Sequence, residues 1–103
     1  MIGQPAMRVR SVFVSPGTTA VASTVLNLRR ADVILTGEPR EWEAVPYVLD
    51  TWPADQKKGM IAVGRLVSEA PDTQACAVWI RTLVPEVRVE AVATVDPYWS
   101  PGA

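Results

Sequence analysis

Gly59–Glu69, GMIAVGRLVSE, is the stretch whose reading decides the fold. Met60 to Val63 is an unbroken apolar run, the length of a strand buried on both faces rather than a half-exposed one. Gly64 ends it. Arg65 to Glu69 then turn into a helix that Ser68 is placed to cap and that runs to about Val84. Pro71 falls in its first turn on that reading, where a proline costs little. A buried strand followed at once by a helix is the unit of an α/β sheet.

Two similar units precede it. Arg8–Val14, RVRSVFV, has the β-branched and aromatic content of a strand, and residues 1–7 read as a frayed lead-in. Ser15-Pro16-Gly17 stops that strand, and Thr18 or Thr19 caps a helix to about Arg30. Val21, Val25 and Leu28 share one face of it. Asp32–Thr36 is a second strand, with Val33, Ile34 and Leu35 running without alternation. Gly37-Glu38-Pro39 ends it, and Pro39 suits the first position of the next helix. Pro46 predicts a kink or two short pieces within residues 39–50. Trp52-Pro53 reads as an apolar plug in the following loop. Beyond the third helix, Val87–Val95 alternates as a half-exposed strand does. The last eight residues, DPYWSPGA, read as extended.

The order β-α-β-α-β-α-β predicts an α/β domain covering residues 1–103, with α+β as the alternative. Its sheet is four-stranded, mixed but mainly parallel, and flanked by helices. A chain of 103 residues makes one domain with a modest core that often leans on a partner. With 49 % hydrophobic residues it is not a disordered segment. The net charge of −1 and the lack of a basic patch argue against nucleic acid. No apolar run reaches the ~20 residues of a membrane span. The start lacks a secretory core, and the single cysteine, Cys76, suits a reducing compartment. A cytoplasmic protein is the expectation. Cys76, Trp79, Ile80 and Leu83 form one apolar stripe, so Cys76 is read as buried and inert and Trp79 as core.

Histidine is absent. That removes the commonest acid/base group near neutral pH, the commonest transition-metal ligand and every histidine-dependent triad within one chain. What remains is the rim where three parallel strands end, the usual crevice of α/β sheets. Ser15, Gly17, Thr18, Thr19, Glu38, Arg65 and Glu69 meet there. The SPGTT turn is read either as a strand-to-helix turn with a Thr cap or as an anion cradle. Glu38 is read as a helix-start carboxylate or as a ligand or metal contact. Arg65 and Glu69, at i and i+4, make either a simple ion pair or a ligand-facing pair. The residues by themselves assign no catalytic group.

Four stretches in order, VRSVFVSPG, ADVILTGEPREWE, MIAVGRLVSE and VRVEAVATVDP, resemble the C-terminal half of the Nif-three-like proteins. These are NGG-one-interacting factor three homologues, also called dinuclear-metal-centre hexameric proteins or GTP cyclohydrolase I type 2 homologues. The resemblance runs from about Val9 to Pro97. Its markers are Thr36-Gly37-Glu38 and Gly64-Arg65-x-x-Ser68-Glu69. In that family the second motif carries a histidine and a glutamate that ligate a pair of divalent metals. Glu69 matches the ligand glutamate, whereas Arg65 stands at the histidine position.

A charged guanidinium has no lone pair to give a metal. Its fixed charge stands instead where a cation would, beside Glu69. The resemblance therefore implies a vestigial site at Glu69 and no cofactor in this chain alone. A divalent Zn, Mn or Fe would bind only if the site is completed elsewhere. It also implies a homo-oligomer, with a small anionic ligand near Glu38, Arg65, Ser15, Gly17 and Thr18. The first expectation is a non-catalytic scaffold or ligand-binding subunit. One alternative is a metal-dependent hydrolase of a nucleotide-like or phosphorylated small molecule, with ligands from another chain or a longer protein. The other is a protein–protein interaction module using the last strand and Tyr98-Trp99.

Overall fold

Three strands, Val12–Thr19 (β1), Val33–Pro39 (β2) and Gly59–Ala62 (β3), form a parallel sheet in the order β1-β2-β3. The computed structural model describes residues 1–95 and 97. Helices Val21–Leu28 (α1) and Ala44–Asp50 (α2) are the crossovers, and Arg65–Leu83 (α3) follows β3. The α/β class and the alternation of strands and helices are as the sequence implied. Among the described residues the sheet has three strands. Val87–Val95, expected as a fourth, pairs with none of them. Of the terminal stretch expected to be extended, all but Pro97 lies outside the described residues.

The ladder register puts Phe13, Ile34 and Met60 in one row across the sheet. Side chains alternate between faces along a strand, so this row shares its face with Ser15, Thr36 and Ala62. Ile34 and Met60 are buried there with Leu28 of α1 and Ala44 and Val48 of α2, and Phe13, Val45 and Tyr47 pack against them. Two consecutive right-handed crossovers between adjacent strands put both helices on one face. The core is therefore one-sided.

Local boundaries differ from the expectation where tertiary bonds outweigh propensity. The first strand runs from Val12 through Thr19, so SPGTT is strand and not a helix start. α1 begins after Ala20 without a side-chain cap, because Thr18 and Thr19 are still in the ladder with Glu38 and Pro39. Pro39 closes β2 rather than opening a helix. α2 starts late enough that Pro46 lies in its first turn, where no internal bond is lost, so no kink arises. The amino terminus is not frayed: Ile2 exchanges backbone hydrogen bonds with Met60 at 2.7 and 2.9 Å. Trp52 folds back as expected, its indole N–H donating to the Lys58 carbonyl at 2.9 Å.

Asp32 ties down the opposite end of the sheet. One carboxylate oxygen accepts the N–H groups of Arg10 at 2.8 Å and Ser11 at 3.1 Å, where the chain enters β1. Its own N–H and carbonyl bond to Ser11 and Gly59. The Arg10 and Ser11 N–H groups hold the Asp32 carboxyl below the usual carboxylate range, with smaller help from the Ser11 hydroxyl and the Lys58 charge. A lowered folded-state pKa adds stability that is fully present above the unfolded value of about 3.9 and disappears as pH falls through the folded value. Urea midpoints measured against pH should fall on that acid limb. Asp32→Asn should lower the midpoint at neutral pH and flatten the limb, and an unchanged limb would remove Asp32 as its source.

Candidate functional site

The carboxyl ends of β1 and β2 meet the start of α3 at a single junction. Pairing jumps from Ser15↔Thr36 to Thr18↔Glu38, so β1 carries one extra residue opposite β2, a bulge at Pro16-Gly17. Gly17 adopts φ 69°, a left-handed conformation that side chains rarely take. The bulge pushes the Gly17 backbone against Gly37. A Cβ built on Gly37 would stand 2.5 Å from the Gly17 carbonyl oxygen and also against the Ser68 hydroxyl. No side chain fits there, which is the physical meaning of glycine in Thr36-Gly37-Glu38.

Ser68 closes the junction. Its hydroxyl accepts the Gly17 N–H at 3.0 Å and donates to the Arg65 carbonyl at 2.9 Å. The Gly64 N–H donates to the Gly37 carbonyl at 2.9 Å, and Val63 N–H to Thr36 at 3.0 Å. The expected Ser68 cap is thus replaced: α3 begins at Arg65, and Ser68 lies inside it as a tie to β1. Pro71 consequently falls in the second turn, where it leaves the Val67 carbonyl without a helical donor.

Glu69 reaches the same place. Its carboxylate lies against Gly17, where a Cβ on that glycine would meet Oε1 at 2.5 Å. Arg65 Nε stands 3.1 Å from Glu69 Oε2, the i,i+4 ion pair that the spacing allowed. Both side chains are partly exposed, so the pair contributes only about half a kcal/mol. Beneath the junction lies a group of hydroxyls: Thr19 and Thr36, both buried, hydrogen-bond each other, and Thr19 also donates to Ser15 Oγ at 2.9 Å.

The sequence-derived residues therefore gather unequally. Gly17, Arg65 and Glu69 are in direct contact or one contact apart. Ser15 turns beneath the rim toward Thr19. Thr18 and Glu38 are exposed ladder partners, and among the described residues the Glu38 carboxylate makes no hydrogen bond or ion pair. An anion cradle at SPGTT loses its main donor, because Ser68 takes the Gly17 N–H. Ser68 was read only as a cap; its link to Gly17 crosses 51 residues of chain, and no local pattern encodes that.

As a metal site the donor set does not fit. Glu69 is engaged by a guanidinium, and among the described residues no three His, Cys, Asp or Glu side chains cluster closely enough to share an ion. The described helices also include none long and apolar enough to cross a membrane. The α3 stripe differs from expectation: Cys76, Trp79 and Leu83 are exposed, and Ala77 is the buried residue of the helix. The expected single stripe is not a distinct face of α3: Leu66, Val67 and Val78 are exposed as well, so apolar residues stand all round the helix.

Ser68→Ala should cost about 1–2 kcal/mol in urea unfolding by stranding the Gly17 N–H, and should speed hydrogen exchange at Gly17. Gly37→Ala should cost about 1–3 kcal/mol, since its neighbour is backbone and cannot yield as a side chain would. Wild-type stability in both variants would mean the junction is not closed in solution. Compared with known protein families, characterised proteins and solved structures, the chain matches none of them.

Proposed function

We propose that this chain is a non-catalytic scaffold or ligand-binding subunit of the Nif-three-like kind, built around a degenerate dinuclear metal site. One observation carries the reading. The Arg65 guanidinium lies 3.1 Å from Glu69, at the position where the resemblance puts a metal-ligating histidine. A cation fixed in the chain neutralises the carboxylate that would otherwise draw a metal. Without histidine, the chain also has no neutral nitrogen donor of the imidazole type to complete such a site. The single cysteine is consistent with a cytoplasmic setting.

The ligand the pocket retains would be small and anionic, approached by Arg65 from the rim. Thr18 and Glu38, exposed ladder partners at the same end of the sheet, would supply hydroxyl and carboxylate contacts. Opening the Arg65–Glu69 pair costs little, so an anion that binds the guanidinium in two-point fashion competes for it directly.

Calorimetric titration with Zn²⁺ and Mn²⁺ tests the reading. The wild-type protein should show no saturable metal uptake. Arg65→His frees Glu69 and creates an i,i+4 His/Glu pair, which should bind Zn²⁺ weakly and lose it again when Glu69→Gln is added. Stoichiometric metal in the wild type, or no gain in Arg65→His, would overturn the proposal.

A further inference from the structure

The sheet is fully covered on one face only: on the other, Val33 is buried beside Gly59, Leu35 and Ile61 are half-buried, and the open part is the β1 edge. Its second face carries Val14, Leu35 and Ile61 in register, with Val12 and Val63 beside them. Val12 and Val14 are 54 % and 60 % exposed. Parallel sheets are normally buried on both faces, because their strands are apolar on both. Here the strand sequences meet that rule, but the folded chain leaves part of it unfulfilled.

The missing cover is not supplied by the chain's own α3. Ser68 and Glu69 pin the helix start at the rim, and the whole helix spans 19 residues, about 28 Å. Its stripe of Cys76, Trp79 and Leu83, at i, i+3 and i+7, stays exposed, with Trp79 at 61 %. The segment after it runs back along the helix, and Arg81 Nε donates to the Val89 carbonyl at 2.9 Å. Helix and segment together form an arm that leaves the sheet behind. The arm's stripe is about 10 Å long, which is also the width of three strands at ~4.8 Å spacing.

The whole molecule carries the same imbalance. The chain exposes 7776 Å², whereas a compact monomer of 11.2 kDa exposes about 5,700 Å². Its radius of gyration is 17.2 Å against about 13 Å for a compact chain of this length. The surplus surface exceeds the ~800 Å² that each partner of a stable interface buries.

We propose that a second copy of this chain covers the open face: the α3 arm of each protomer lays its Trp79–Leu83 stripe across Val14, Leu35 and Ile61 of the other. The exchange is reciprocal, so a two-fold axis closes it as a dimer with both faces and both arms used. It stands on the open face and the arm, and is independent of the Arg65–Glu69 reading.

Sedimentation velocity over a concentration series tests this, using surface variants that leave the one-sided core intact. The wild type should sediment as a dimer. Val14→Lys spoils the face, Leu83→Lys spoils the arm, and each alone should be monomeric while keeping the wild-type circular dichroism. Mixing the two variants leaves one sound face opposite one sound arm, so dimer should reappear in the mixture and in neither component. A monomeric wild type would overturn the proposal. So would a dimer formed by either variant alone, because face would then pair with face or arm with arm, and so would a mixture that stays monomeric beside a dimeric wild type.

Discussion

The contact on which the rest of this structure depends is the backbone approach of Gly17 to Gly37, locked by the Ser68 hydroxyl. A left-handed glycine makes the bulge in β1, and a residue without a side chain lets β2 receive it. Ser68 then accepts the Gly17 N–H and fixes where α3 begins. Moving α3 by one residue would swing Ser68 about 100° around the helix and break the tie. The place of Arg65 and Glu69, and the direction in which the arm departs, both follow from that lock.

The chemistry of the rim is restrained for the same reason. Parallel strands ending in glycine-containing turns provide free N–H groups, and such rims bind anions in many α/β proteins. Here the Gly17 N–H is taken by Ser68, and the Glu69 carboxylate by Arg65. The groups left facing outward are hydroxyl, carboxylate and a loosely paired guanidinium.

Energetically the molecule is lopsided. Leu28, Ile34, Val48 and Met60 form a dry core under α1 and α2, which accounts for much of what a domain this small can bury. The other face has the same kind of side chains and is covered only in part, with Val33 buried and the β1 edge residues Val12 and Val14 exposed. An apolar surface in this position costs free energy in water in proportion to its area.

Strand and helix alternation was legible in the sequence, and so were the apolar runs that become β2 and β3, since each is a pattern carried by neighbours in the chain. So was the meeting of Gly17 with Glu69, because parallel strands bring their ends to one rim. Tertiary structure alone decided the rest: that Thr18 and Thr19 stay in the ladder, that Ile2 joins the edge of the sheet, and that Ser68 is a tie rather than a cap. It also decided that Trp79 and Cys76 face water, although their spacing is that of a core helix. Periodicity states which face of an element is apolar. What lies against that face depends on contacts between distant residues, and no local pattern records them.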